Sequence, residues 1–266
     1  MDAALLNLLQ SVDTPTVCNA IEVAQGRRGF DAFTRGTMLA SDPRPMVGHA
    51  VTARIAAVAP PTEDPATIRA RRMAYYKAMA EGPKPSVAVV EDMDYPDCIG
   101  AYWGEVNTTI HKGFGMSGAL TNGVMRDLGD MAPSFPVVAG SIGPSHGFVH
   151  VRAVNVPVTV HGLAIAPGDL VHADRHGAVV VPPDVIPLLG AAIGKMQATE
   201  QLILGPARAD GFDFRAFEAA WAAFDAWARR DRTTLEFHPL RAPDLFTPSS
   251  APLPGCDGPA NAATTR

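Results

Sequence analysis

Arg126 and Asp127 stand side by side at the end of Gly118-Ala119-Leu120-Thr121-Asn122-Gly123-Val124-Met125-Arg126-Asp127. Just upstream, Gly100-Ala101-Tyr102-Trp103-Gly104-Glu105 ends in a second acid. A short apolar run that ends in charge reads as a buried strand delivering polar groups to a sheet edge. One cation, two carboxylates and flexible backbone suit a site for a small anion and a hard metal ion. Asp127 can take Mg²⁺ through one direct bond, with water in the other positions. The planar fork of Arg126 matches a carboxylate or an α-keto acid bidentately. The same pair also reads as a plain Arg–Asp ion pair at a strand end. Glu105 has two readings as well: an acid favoured by the dipole of a helix starting at Gly104, or a group for proton chemistry beside the metal. The amides from Gly104 through Val106 to Asn107, at that helix N-terminus, could cradle an anion.

Other chemistries find little support. GxxxxGK[ST] and a GxGxxG after a strand are missing, which leaves P-loop and Rossmann readings without a motif. The histidines, including His111, His146, His150, His161, His172 and His176, form no HxH or HExxH pair. Asp174, in His172-Ala173-Asp174-Arg175-His176-Gly177, reads as a turn stabiliser before a strand. The three cysteines, Cys18, Cys98 and Cys256, include no CxxC, so a structural zinc site and a disulfide framework are both disfavoured. A net charge of -5 without a long basic run argues against nucleic acid as a partner. The start of the chain lacks the basic and small-residue features of a signal peptide, and no apolar run has membrane-spanning length. The expectation is a soluble cytoplasmic protein with no membrane partner.

The elements that must position these residues follow from the pattern. With 266 residues and 47% hydrophobic content, the chain can build one sizeable core. Thr14 as N-cap and Pro15 at the first helical position predict a helix to about Gly26. Val47 to Ala59 reads as a strand, and Thr62 to Gly82 as a helix whose Arg69, Arg71, Arg72 and Lys77 form a solvated face. Ser86 to Asp92 is a buried strand ending in acids. A helix should follow Gly104 to about His111, then a strand from Gly118 to Met125, then a turn and a short helix after Asp127. Beyond Phe135, short strands alternate with Gly/Pro turns such as Ala166-Pro167-Gly168-Asp169. Helix–strand alternation followed by a β-rich half predicts an α/β layered sandwich. Two more helices are expected, from Asp184 to about Leu204 and from Asp213 to Arg230. In the second, Phe214, Phe217, Trp221, Phe224 and Trp227 form one aromatic stripe, which would pack on the body or make a subunit contact. The segment from Pro243 on is Pro-, Ser-, Ala- and Gly-rich and lacks periodicity.

Taken in order, Gly104-Glu105, Gly118 to Gly123, Arg126-Asp127, Val156-Pro157-Val158, Pro167-Gly168-Asp169 and Asp174 to Pro182 resemble the RraA-like family over roughly residues 12 to 204. That family includes the 4-hydroxy-4-methyl-2-oxoglutarate/4-carboxy-4-hydroxy-2-oxoadipate aldolases, which also decarboxylate oxaloacetate. The resemblance implies an α-β-β-α sandwich assembled as homotrimers or homohexamers. It implies a catalytic domain over 1–204, beyond which the sequence pattern predicts a C-terminal helical extension over 205–242 and an irregular tail over 243–266. It further implies a class II aldolase using Mg²⁺, Mn²⁺ or another divalent metal on a 2-oxo acid. In that pattern Asp127 ligates the metal, Arg126 holds the pyruvate moiety, Glu105 orients water, and Gly104, Val106 and Asn107 line the carboxylate site. A glutamate from a neighbouring subunit maps to Glu200 by position. Some relatives instead act as protein-binding inhibitors of a ribonuclease, and another metal-dependent lyase or hydrolase on the same scaffold is a further alternative. The chain departs from the family pattern at Pro96 to Trp103, at Asn122-Gly123 in place of Asp-Gly, at Arg175-His176, and in its long extension.

Overall fold

In the computed structural model, residues 1–230 are described. The expected tail from Pro243, and residues 231–242 of the expected extension, lie outside them. The described part holds six helices: α1 (Ala3–Gln10), α2 (Thr14–Gln25), α3 (Pro65–Glu81), α4 (Glu105–Gly113), α5 (Ile186–Ala207) and α6 (Phe214–Arg230). Its strands are β1 (Leu39–Ala40), β2 (Met46–Ala56), β3 (Ser86–Asp92), β4 (Ala101–Trp103), β5 (Gly118–Thr121), β6 (Val124–Met125), β7 (Val137–Ala139) and β8 (Ser141–Ile142). They continue with β9 (His150–Val154), β10 (Val158–Val160), β11 (Leu163–Ile165), β12 (Leu170–Asp174) and β13 (Gly177–Val181). No described helix is long and apolar enough to cross a membrane.

The main sheet runs β1-β7-β5-β3-β2-β12-β13, with β9 paired to the far end of β2. Its centre, β2, β3, β5 and β7, is parallel. Both faces of these strands are covered, so they read as near-continuous apolar runs. The alternation still sorts them: Ala88 and Val90 face a core under α3 and β4, while Val87 and Val89 face the hairpin β10–β11. A third cluster packs α1, α2 and α5 against Val47, Leu170, Val179 and Val181. The result is the expected mixed α/β sandwich, with helices outside a curled sheet.

A second, three-stranded sheet, β4-β6-β8, is also parallel. Its order copies the order β3-β5-β7 of the main sheet, because the chain leaves each of those strands and enters the matching one. The crossings are narrow. A Cβ on Gly140 would overlap the carbonyl oxygen of Asn122 and lie 2.8 Å from His161 Nε2. One on Gly123 would lie 3.0 Å from the Asp92 carboxylate. These glycines let two sheets join where any side chain would force them apart. This corrects the single strand expected from Gly118 to Met125: it breaks at Asn122-Gly123, and its halves belong to different sheets.

Other details differ locally. The N-cap of α2 is Asp13, whose carboxylate accepts from Thr16 N at 2.9 Å, and Thr14 is already helical. Thr14 N instead donates to Asp174 Oδ2 at 2.9 Å, so Asp174 ties α2 to β12. Helix α1 precedes it, capped by Asp2, a feature the sequence reading had not drawn out. After Asp127 there is a turn and no helix. The C-terminal stripe packs on α5, where Lys195 Nζ sits 5.4 Å from the centre of the Trp227 ring.

Candidate active site

Gly104 is the N-cap of α4 and has no side chain to cap it. Asp127 supplies the missing acceptor from another strand: its Oδ2 takes the N–H of Glu105 at 3.2 Å. A carboxylate at a helix N-terminus gains from the macrodipole. Arg126 Nε approaches the same oxygen at 3.5 Å. Both contacts fall on Oδ2, and Oδ1 makes none among the described residues. Arg126 and Asp127 are each about one-third exposed, at 34% and 35% of their side chains. The pair therefore faces solvent at the end of β6 rather than lying in the core.

The backbone holds this arrangement from both sides. Arg126 N donates to Trp103 O at 2.8 Å, which extends the β4–β6 ladder to the last residue before the acid. Asp127 then adopts φ 54°, left-handed backbone that Asp tolerates better than most residues. Asp130 N returns to Asp127 O at 2.9 Å and closes the turn. Thr108 braces the far side: its Oγ1 donates to Gly104 O at 2.9 Å and accepts from Ala132 N at 3.0 Å. Sequence reasoning missed Thr108 because a threonine inside a helix has many ordinary roles.

Beneath α4 lies an aromatic floor. His111 is fully buried, with Tyr75 Oη at 2.6 Å from Nε2 and Asn107 O at 2.6 Å from Nδ1. Nδ1 carries the proton to that carbonyl, and Nε2 accepts from the Tyr75 hydroxyl. Burial pushes the His111 pKa down to about 4, so the ring is neutral near pH 7. Trp103 stacks edge-on at 4.8 Å between ring centres. This floor fixes the pitch of α4 and with it the direction of its first amides.

The predicted residues divide. Arg126, Asp127, Gly104 and the amide of Glu105 come together at one sheet edge. The N–H groups of Val106 and Asn107 lie in the same first turn, and Val106 is 67% exposed. The Asn107 side chain is committed elsewhere, donating to Tyr102 O at 2.6 Å and accepting from Tyr76 Oη at 2.8 Å. Only its backbone could meet a ligand. Glu200 lies on α5, which packs chiefly on α1, α2 and α6. No hydrogen bond or ion pair joins it to Arg126, Asp127 or Glu105 within this chain.

The described residues hold no group of three or more His, Cys, Asp or Glu side chains able to cage a metal. One carboxylate with a free Oδ1, solvent on one side and a guanidinium beside it fits a different site. Mg²⁺ commonly keeps several waters and takes one or two carboxylates plus substrate oxygens. Asp127 meets that requirement.

The family model for "RraA-like: Aldolase/RraA" matches residues 14–180. The chain belongs to the RraA-like family. Among RraA-like relatives, a protein from Halalkalibacterium halodurans named "Putative 4-hydroxy-4-methyl-2-oxoglutarate aldolase" is 30% identical over 112 residues, 41% of this chain and 52% of that protein. DlpA of Legionella pneumophila is 30% identical over 105 residues, 38% of this chain and 17% of that protein. The chain thus covers about half or less of these curated relatives. The crystal structure of Streptomyces coelicolor RraAS2, described as an unusual member of the RNase ES inhibitor RraA protein family, aligns with a TM-score of 0.58 at 25% identity. That alignment covers 75% of this chain and 96% of RraAS2. A protein from Pseudomonas syringae aligns with a TM-score of 0.61 at 23% identity, over 84% of this chain and 95% of that one, and supports the fold.

Proposed function

We propose that this RraA-like protein is a divalent-metal-dependent carbon–carbon lyase that releases pyruvate from a 4-hydroxy-2-oxo acid. Oxaloacetate decarboxylation would share the site. The observation that carries this reading is the shared approach of Arg126 and Asp127 to the N-terminus of α4, with Asp127 Oδ1 left open. The name of the Halalkalibacterium relative points to the same chemistry.

Asp127 would hold the metal, and the metal would supply Lewis-acid polarisation of the 2-oxo group. Arg126 takes the substrate carboxylate through its fork, and the amides of Val106 and Asn107 add donors at the helix end. Cleavage then removes the proton of the 4-hydroxyl and breaks the C3–C4 bond. The carbonyl product leaves from C4, and the electron pair stays on C3 as the pyruvate enolate. Arg126 offsets the charge as it grows on that enolate. Glu105 orients a water that takes the hydroxyl proton and returns one to C3. In decarboxylation CO₂ leaves in place of the carbonyl product, and the same enolate forms. The protein would work as a homotrimer or homohexamer in the cytoplasm, with Glu200 of a neighbouring copy completing the site. The bounds of the catalytic domain, 1–204, and of the extension are part of the same proposal.

A screen of 2-oxo acids with added Mg²⁺ or Mn²⁺, read by pyruvate release, tests the proposal. Turnover that EDTA and Asp127→Ala both abolish supports it. Full activity in either case removes the metal role. Stoichiometric capture of a ribonuclease with no turnover of any 2-oxo acid replaces the enzyme reading with a binding one.

A further inference from the structure

The basic residues of α3 do not share one environment. Arg71 is engaged: its Nη1 donates to Glu63 Oε1 at 3.0 Å and to Val151 O at 3.2 Å. Lys77 pairs with Glu81 one turn on, at 3.2 Å. Arg72 makes no ion pair or hydrogen bond among the described residues. It lines a half-open cleft of about 280 Å³ instead, on the face of α3 that also carries Ile68.

The opposite wall is the segment between β8 and β9. His146 and Phe148 line it, followed by His150 at the start of β9, with Tyr102 of β4 at the base. His150 and Tyr102 are each only 9% exposed, so this wall is built into the fold. The Nδ1 of His146 and of His150 bond to backbone carbonyls of their own loop, at 2.7 Å and 2.8 Å. That fixes both rings in place. Arg152 Nη1 lies 3.4 Å from His150 Nε2 and 3.4 Å from Glu63 Oε2. Glu63 is thus taken up by Arg71 and Arg152, neither of which lines the cleft, and Arg72 is the one arginine or lysine in the lining. The remaining lining is apolar, and Phe148 stands 54% exposed at its mouth. A large exposed aromatic beside an unpaired guanidinium over an apolar trough is ligand-site chemistry.

None of Arg126, Asp127 and Glu105 lines this cleft. Tyr102 of the Pro96 to Trp103 segment contributes to its lining, and a Cβ added at Gly100 of that segment would lie 2.9 Å from His146 O. We propose that this cleft is a second binding site, for a small monocarboxylate with an apolar or aromatic body. The carboxylate would pair with Arg72, and the body would lie in the trough against Ile68, Phe148 and Val151.

Phenylacetate is a suitable probe on the full chain, with benzylammonium and inorganic phosphate as controls of shape and of charge. Titration calorimetry and ligand-observed NMR should give a phenylacetate Kd on the order of 0.1–1 mM, in keeping with so small a ligand. Arg72→Gln should weaken it about tenfold or more, Phe148→Ala should weaken it several-fold, and Arg126→Ala should leave it unchanged. Arg72 is exposed and unpaired, so its variant should melt with the parent. The proposal fails if phenylacetate does not bind, or if Arg72→Gln binds it equally well. It fails if Arg126→Ala abolishes binding, which would move the ligand to the β6 site. Equal binding of phosphate would reduce the cleft to a charge patch, and equal binding of benzylammonium would remove the role of Arg72. Either result overturns it.

Discussion

Asp127 reaches the first turn of α4 because Gly104 has no side chain. A Cβ at Gly104 would overlap Asp127 Oδ2 and lie 3.1 Å from Arg126 Cγ. The glycine's backbone is extended, at φ -157°, and any residue could adopt it. The requirement is space, not conformation.

Gly104→Ala is therefore expected to act on the site more than on the fold. The methyl group pushes the carboxylate off Glu105 N and displaces Arg126. Overpacking of this kind costs about 1–3 kcal/mol, and partly exposed neighbours that can move place it at the low end. A misplacement near 1 Å can cost about 100-fold in rate. Thermal melting together with pyruvate-release kinetics checks both. A variant with parental kcat/KM would show that Asp127 need not touch α4.

Arg126→Lys keeps the charge and loses the fork. A bidentate carboxylate contact becomes a point contact, so KM for a 2-oxo acid should rise more than tenfold while the metal dependence persists. Asp127→Asn should do the reverse: the amide can still accept from Glu105 N, so the fold holds, but activity should fall about 100-fold or more and added Mn²⁺ should not restore it. Steady-state kinetics over a metal titration separates the two. Similar KM shifts in both variants would mean that the residues share one role.

Much of this was legible in the sequence, for physical reasons that differ by residue. Arg126-Asp127 stood out because charge at the end of an apolar run has few structural uses. The helix after Gly104 was visible because Glu105 and the following residues suit a first turn. The cap of that helix was not, since Asp127 serves it from 23 positions beyond Gly104 in sequence, and periodicity carries no such pairing. Gly123 read as part of one strand from Gly118 to Met125, because the purpose of Gly123 and Gly140, to let β5 and β7 cross into β6 and β8, depends on a second sheet that no local pattern specifies. Asp13 displaced Thr14 as cap because Thr14 N is taken by Asp174, 160 residues away. The basic face of α3 read as uniformly solvated, whereas contacts to Glu63 and the β8–β9 segment divide it.

Asn122 shows why this chain carries an amide where its family commonly has an acid. Its Oδ1 accepts from Asp92 N at 2.7 Å and its Nδ2 donates to Asp92 O at 3.1 Å. The side chain thus continues the β3–β5 ladder after the main chain has left it. Asp92 itself is 1% exposed, and its Oδ2 has no hydrogen-bond partner among the described residues. Asn122→Asp would lose the Nδ2 bond and set a second carboxylate beside the first. The cost should be about 1–3 kcal/mol at neutral pH, read from the urea midpoint, and smaller in acid. No loss would mean that the amide pairing adds nothing.

Burial raises the Asp92 pKa above its ordinary 3.8, with the nearby Asp94 charge adding to the effect. The sign follows from proton linkage. Between the unfolded and folded pKa values the native state binds more protons, so stability is greatest below about pH 3.8 and falls as pH rises through the folded pKa. Asp92→Asn removes that loss, because an amide stays neutral. The variant should gain on the parent as pH climbs above about 4, and the difference should level off once Asp92 is ionised.

His111 works in the opposite direction. Its pKa is pushed from 6.5 to about 4 by burial, against the raising effect of its bond to Asn107 O. A histidine depressed in the folded state contributes stability that is present above pH 6.5 and lost as pH falls through about 4. Across that window the unfolded chain takes up a proton that the native ring refuses. At about 1.4 kcal/mol per pH unit this amounts to about 3 kcal/mol. Since His111 and Tyr75 form the floor of α4, the loss should appear first at the site: the first turn after Gly104 should loosen before the main sheet unfolds. Amide hydrogen exchange at pH 7 and pH 5 would resolve this, with protection falling in α4 and staying level in β3 and β5. Replacing His111 with Gln keeps a polar side chain in the same place but has no proton to gain. The acid-induced loss should then flatten, and an unchanged pH profile would assign it to other groups.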